Sequence, residues 1–354
     1  MSFIQLENVN IKLGEFHLKD CSLSVEEGDY FTIIGPTGSG KTILLETIAG
    51  FYKPDSGRII MNGIDITELP PEKRNISIVY QDCMLFPNMN VFDNIAYGLR
   101  KKIKDKETIK NEVIHIAKIL DIEHLLDRYP TTLSGGEIQR TAIARALIVK
   151  PKLLLMDEPF SALDVKTKEK LRNLLKKVID EYNTTVIHVT HDLDDVWSLA
   201  NKVAVMRYGK ILQIGTPEEI FNKPLPNFVA DFVGTNVLTA EVIGKEGNLT
   251  VLNVNGLTIY STDKLDLNDK LIKISIRPEK IIILNGHNNP NKKNIFTGKV
   301  KQVIKKGYFI CLVVDINGIN INITITPNTH LLDFKEGDEI DILIKPEDVH
   351  IIKY

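Results

Sequence analysis

Eight consecutive residues, Gly35, Pro36, Thr37, Gly38, Ser39, Gly40, Lys41 and Thr42, fill the pattern G-x-x-x-x-G-K-[ST] directly after the apolar run Tyr30–Ile34. The glycines let successive backbone N–H groups curl around a polyphosphate without Cβ clashes. Lys41 would reach the terminal phosphates as a point charge, and the Thr42 hydroxyl would sit on Mg²⁺. A second constellation closes another apolar run, where Leu153, Leu154, Leu155 and Met156 lead into Asp157 and Glu158. A buried strand of that kind holds Asp157 rigidly at its mouth, placed to position Mg²⁺ through a bound water. Glu158, one residue on, is placed to polarise an attacking water as general base.

The elements that must carry these side chains are legible as alternating apolar runs and helical patterns up to about residue 233. That alternation is the mark of an α/β unit around a mostly parallel sheet. Buried strands are expected at 30–34, 76–80, 153–156, 185–189 and 203–207. Between 91 and 149 the pattern turns helical and charged, which indicates a helical subdomain of about residues 88–150. Two prolines in 222–227 oppose continued helix and mark a hinge. Beyond Thr235 short β-branched runs are broken by Gly, Asn and Asp, so an all-β domain is expected over 236–354. It repeats internally. The stretch 276–283 resembles 344–351 and the stretch 236–242 resembles 294–300, in the same order, which divides the tail into related halves of about 236–284 and 294–354, read as two small barrels.

Composition narrows the class. Forty-four basic against 46 acidic residues leave a net charge of -2, so there is no bulk electrostatic case for a nucleic-acid partner. Three cysteines, Cys21, Cys83 and Cys311, match no metal or disulfide spacing and fit a reducing cytosol. The N-terminus lacks a charged segment followed by an apolar one, and no stretch reaches the ~20 apolar residues that span a bilayer. Any service to a membrane is expected from outside the lipid.

One further segment joins these observations. In Leu133, Ser134, Gly135, Gly136, Glu137, Ile138, Gln139 and Arg140, Ser134 reads as an N-cap, and two glycines expose backbone N–H groups at the start of an amphipathic helix. With the two preceding motifs, this resembles the signature of the ATP-binding cassette (ABC) family, a resemblance covering about residues 3–233. It implies a P-loop NTPase fold, ATP and Mg²⁺ as ligands, and a head-to-tail homodimer in which this helix tip completes the site of the second subunit. It also implies roles for three weaker segments. Gln81 resembles the glutamine that touches the metal and the attacking water. Asp164, after Ser161, Ala162 and Leu163, resembles the loop that crosses between subunits. His191 resembles the switch histidine at the terminal phosphate. The family usually offers an early aromatic to stack on adenine; Phe16 is the aromatic available, and it reads equally as a core strand residue.

The apolar loop from Cys83 through Met84, Leu85, Phe86 and Met89 to Val91 follows Gln81. It suits either a surface for a transmembrane permease or a packing contact of the helical subdomain. The tail resembles the TOBE and Mop-like OB-type modules of importers for oxyanions, iron, polyamines and sugars. Lys299, Thr326, Thr329 and Lys345 are candidate oxyanion ligands by residue type, or else solvated surface. The module's usual Ser-Ala-Arg-Asn stands here as Asn291, Lys292, Lys293 and Asn294. The resemblance is strongest to ATPase subunits of molybdate or tungstate importers, at the cytoplasmic face of the membrane with a permease and an extracytoplasmic binding protein, and with oxyanion feedback through the tail. Sulfate, ferric iron, polyamine and sugar are alternative cargos. A non-transport ABC ATPase with a nucleic-acid-binding β tail is the rival of another class.

Overall fold

The computed structural model describes residues 2–161, 163–265, 270–284, 293–306, 309–326 and 334–352. The chain divides into two units, Met1–Pro217 and Glu218–Tyr354. The division falls ahead of the change in sequence texture at Thr235, so the short helices on either side of the proline hinge lie with the β tail rather than with the α/β unit.

The first unit runs β1 (Ser2–Leu13), β2 (Phe16–Glu26), β3 (Tyr30–Ile34), α1 (Lys41–Ala49), β4 (Ser56–Met61), β5 (Ile64–Asp65), β6 (Ile76–Val79) and α2 (Val91–Ala96). It continues with α3 (Lys106–Ile119), α4 (Gly135–Leu147), β7 (Leu153–Asp157), α5 (Val165–Tyr182), β8 (Thr185–Thr190), α6 (Leu193–Leu199), β9 (Lys202–Arg207) and β10 (Lys210–Gly215). Six strands form the main sheet in the order β10-β9-β3-β8-β7-β6. All are parallel except β10, which returns antiparallel on β9.

β3, β7 and β8 are buried at every residue, as expected of parallel strands covered on both faces. Their side chains alternate between two cores. Tyr30, Leu154, Met156 and Val186 join the apolar cluster made with α2 to α5. Phe31, Ile33, Leu153, Leu155, Ile187 and Val189 join the cluster made with α1 and the antiparallel sheet β2-β1-β4-β5. The parallel arrangement has one consequence for chemistry: the segments leaving β3, β6, β7 and β8 all emerge at the same edge of the sheet, where α/β folds bind ligands.

Among its described residues the second unit holds α7 (Pro217–Asn222), α8 (Asn227–Phe232) and ten strands: β11 (Asn236–Glu246), β12 (Leu249–Val254), β13 (Leu257–Ser261), β14 (Leu271–Ile276), β15 (Ile282–Leu284), β16 (Ile295–Lys306), β17 (Phe309–Ile316), β18 (Ile319–Ile325), β19 (Glu339–Leu343) and β20 (Val349–Ile352). They form two five-stranded antiparallel sheets, β13-β12-β11-β14-β20 and β15-β19-β16-β17-β18, around one shared core. The halves trade their last strands: β15, from the first, pairs with β19, and β20, from the second, pairs with β14. The two related halves are thus interlocked, each sheet completed by a strand of the other half. Two repeat-related asparagines stitch the halves. Asn236 exchanges hydrogen bonds with the backbone of Asn322 (2.8 and 2.7 Å), and Asn294 does the same with Tyr260 (2.9 and 2.7 Å). Asn294, buried and committed to Tyr260, is therefore a structural bridge rather than an exposed anion ligand.

Candidate functional site

Between β3 and α1 the chain makes a loop whose glycines are sterically required. A Cβ on Gly35 would lie 2.2 Å from the Met206 carbonyl oxygen, and one on Gly40 would lie 2.3 Å from the Phe16 ring. Gly40 also adopts φ 101 at the head of α1, which an L side chain rarely adopts. Lys41 is buried and donates to the carbonyls of Gly35 (2.8 Å) and Pro36 (3.2 Å), holding the loop in its curl. An ammonium has three donors, so these two bonds leave one for a phosphate oxygen. Burial pulls the Lys41 pKa down, and the charges of Glu158 and Asp157 oppose that.

The far end of α1 is anchored by Arg74, a guanidinium fully enclosed by backbone carbonyls. It donates to Thr47 (3.0 Å) and Ile48 (2.9 Å) at the helix C-terminus, and to Thr67 (2.9 Å) and Leu69 (2.7 Å). A cation there complements the negative end of the helix dipole.

The Thr42 hydroxyl donates to Asp157 Oδ2 at 2.8 Å. Burial raises the Asp157 pKa, and the Thr42 hydrogen bond partly offsets it. Glu158, beyond the end of β7, adopts a left-handed backbone at φ 45, unusual for a residue with a side chain. Its N–H is tied to the Val189 carbonyl of β8 at 2.8 Å. This bend brings its carboxylate within 3.0 Å of His191 Nδ1, in the segment that leaves β8. A cleft of about 420 Å³ opens on the group, lined by Phe16, Thr37, Gly38, Gly40, Lys41, Thr42, Ile43, Gln81, Asp157 and Glu158. Phe16 edges the cleft and packs against the core under β1 and β2.

Other expected residues lie elsewhere. Ser134 precedes α4, where its N–H donates to Glu137 Oε2 at 2.7 Å. Ser134 and Gly135 are exposed, and neither they, Gly136 nor Asp164 line this cleft. Asp164 caps α5, accepting from the Thr167 N–H at 3.1 Å. The apolar loop after Gln81 splits its residues: Cys83, Leu85 and Val91 are buried in the helical core, whereas Met84 is 71% exposed. In the tail, ladder register separates the candidate oxyanion ligands. Lys299 pairs with Asp315 and Glu339, while Thr326 follows Ile325, whose ladder partner Ile310 pairs with Lys305. Six residues along β16 correspond to roughly 20 Å, so within one chain these two do not share a pocket. Lys345 is exposed just past β19, and Thr329 lies outside the described residues.

Residues 18–161 match the family described as ABC transporter, and residues 290–351 match the TOBE domain. The molybdate/tungstate import ATP-binding protein WtpC of Pyrococcus horikoshii is 41% identical over 98% of this chain and 99% of its own length. This chain is an ATP-binding subunit of the ABC transporter family. The family is an ATPase family. The spermidine/putrescine import ATP-binding protein PotA of Spiroplasma citri is also similar, at 38% identity over 99% of this chain and 97% of its own. Among solved structures, cbiO1 from Clostridium perfringens, part of the ABC transporter complex cbiONQ, is similar with a TM-score of 0.58 and 31% identity, covering 62% of this chain and 90% of that one. The ATP-binding cassette MJ0796, a dimer in a post-hydrolysis state bound to ADP and Pi, is similar with a TM-score of 0.55 and 32% identity, covering 60% and 98%.

Sequence reasoning overlooked a buried polar network behind His191, made by Tyr30, His188, Arg172, Asp192 and Asp195. A signal existed: Arg172 falls within the apolar stripe of α5 that includes Leu171, Leu175, Val178 and Ile179. An arginine on the buried face of an amphipathic helix needs a buried partner.

Proposed function

We propose that this chain powers import of molybdate or tungstate, as one of two ATPase subunits held at the cytoplasmic face of the membrane by permease subunits that an extracytoplasmic binding protein supplies. Two copies pair head to tail, so that Ser134, Gly135 and Gly136 of one close on the nucleotide in the cleft of the other, with Asp164 crossing between them. One observation carries this reading: the helix tip at Ser134 is exposed and lies apart from the chain's own phosphate loop.

Mg²⁺ suits the donors present. Thr42, Asp157 and Gln81 supply oxygen atoms at the cleft, and oxygen donors suit a hard cation. Bound with ATP, the ion neutralises developing phosphate charge. The loop N–H groups from Gly38 to Thr42 and the third Lys41 N–H hold the phosphates. Glu158 takes the proton of the attacking water, and Gln81 orients that water. His191, held by Glu158 through Nδ1, turns its other nitrogen to the terminal phosphate. The exposed Met84 serves as a permease contact.

The cargo reading rests on near full-length similarity to WtpC. Polyamine import is the second reading, favoured by similarity of comparable extent to PotA. Oxyanion feedback rests on the matched TOBE region, because Lys299 and Thr326 do not share a pocket within one chain. Reconstitution with the permease tests the cargo: tungstate-loaded binding protein should stimulate ATP hydrolysis and spermidine should not, and the reverse would overturn the assignment.

A further inference from the structure

Arg172 and Asp195 are opposite charges that are both buried, at 7% and 2% exposed. Arg172 lies two turns into α5, on the same face as Lys168, four residues earlier. Its Nε donates to Asp195 Oδ1 at 2.7 Å, and its Nη2 reaches Asp192 Oδ2 at 3.3 Å. Lys168 Nζ reaches the same Asp192 oxygen at 3.0 Å.

The two carboxylates then hold the backbone on each side of His191. Asp195 Oδ2 accepts from the Thr190 hydroxyl at 2.7 Å, and that hydroxyl accepts from the Asp192 N–H at 3.0 Å. The His191 ring itself is 57% exposed, so apart from its contact with Glu158 its location is set by these flanking residues rather than by packing of the ring. A guanidinium fork can satisfy two carboxylates at fixed angles, whereas an ammonium acts as one point charge.

The first turn of the same helix meets the tip of α4. A Cβ on Gly136 would lie 3.1 Å from Thr167 Cγ2 in the first turn of α5. One helix therefore touches both the glycine tip and the histidine loop.

We propose that Arg172 is a positioning residue for His191, acting through Asp192 and Asp195, and that α5 thereby links the tip lent to the neighbouring subunit to the histidine beside Glu158. This rests on the roles proposed above for His191 and the α4 tip. A rigid helix with a bidentate clamp transmits displacement without needing a chain of loosely packed side chains.

The test compares full-length variants by steady-state hydrolysis, equilibrium MgATP binding and thermal unfolding. Arg172→Lys keeps a cation beside Asp195 but loses the bridge to both acids. It should lower kcat by about tenfold or more, because small misplacement of a reacting group is costly, while MgATP affinity stays within about twofold. Asp192→Asn, half-buried and still able to cap α6, should lower kcat in the same direction by less. Leu175→Val destabilises the same helix from its apolar side and should leave kcat near wild type. Wild-type turnover by Arg172→Lys, or a loss of kcat in Leu175→Val that matches it at equal stability, would overturn the clamp. His191→Ala separates the two layers: if it hydrolyses normally, the role of His191 falls; if it is inactive while Arg172→Lys is normal, only the clamp falls.

Discussion

His191 Nδ1 lies 3.0 Å from Glu158 Oε2, across the mouths of two adjacent parallel strands, β8 and β7. The contact requires the left-handed turn at Glu158, pinned by its N–H to the carbonyl of Val189, two residues before His191. Backbone strain spent at that point aims a carboxylate into the cleft.

Glu158→Gln keeps the shape of the side chain and removes its basicity. ATP binding should persist while hydrolysis falls by about 10²-fold or more, the scale of a lost general base. Single-turnover hydrolysis beside nucleotide binding checks this; wild-type turnover would remove Glu158 from that role.

Thr42→Val removes the hydroxyl that Asp157 accepts from. Hydrolysis should then need higher Mg²⁺ concentrations, and chelation of Mg²⁺ should cost the variant less ATP affinity than it costs wild type. A Mg²⁺ titration of activity in both proteins decides it, and identical titration curves would contradict the assignment.

His188 is enclosed at the centre of the sheet, and burial, opposed by the charge of Asp195, lowers its pKa to about 4. An unfolded histidine titrates near 6.5, so the unfolded chain binds the extra proton between these values. Stability should therefore be full above about pH 6.5 and fall as pH drops towards 4, by up to about 3 kcal/mol from this residue. Denaturant unfolding across that range should show a shallower loss in His188→Gln than in wild type.

Asn236 and Asn294 each bridge one repeat to the backbone of the other, so either alanine variant should destabilise the tail by about 1–3 kcal/mol through unpaired backbone groups. ATP affinity should be unaffected in both. Differential scanning calorimetry resolves the tail transition, and an unchanged transition would refute the bridging role.

The parallel sheet and the phosphate loop were legible in the sequence because their signals are local. An apolar run of five residues reads as a buried strand, and glycines at fixed offsets read as a loop. Arg172 was not legible as a partner of Asp195, since the two stand 23 positions apart and the chain passes through a helix and a strand before the charges meet. The exchange of β15 and β20 between sheets was hidden for the same reason: the repeat shows that the halves are related, but pairing between halves leaves no periodic trace. The apolar loop after Gln81 was ambiguous from composition alone, because alternate members turn inward, as Cys83 and Leu85 do, while Met84 turns out.

The account depends most on nucleotide being enclosed by two copies of the chain. Light scattering of Glu158→Gln with MgATP tests this directly: a particle of twice the monomer mass is expected, reverting to monomer when Ser134→Arg is added to block the α4 tip. A monomer at saturating MgATP, from a chain whose wild type hydrolyses ATP at full rate alone, would contradict it.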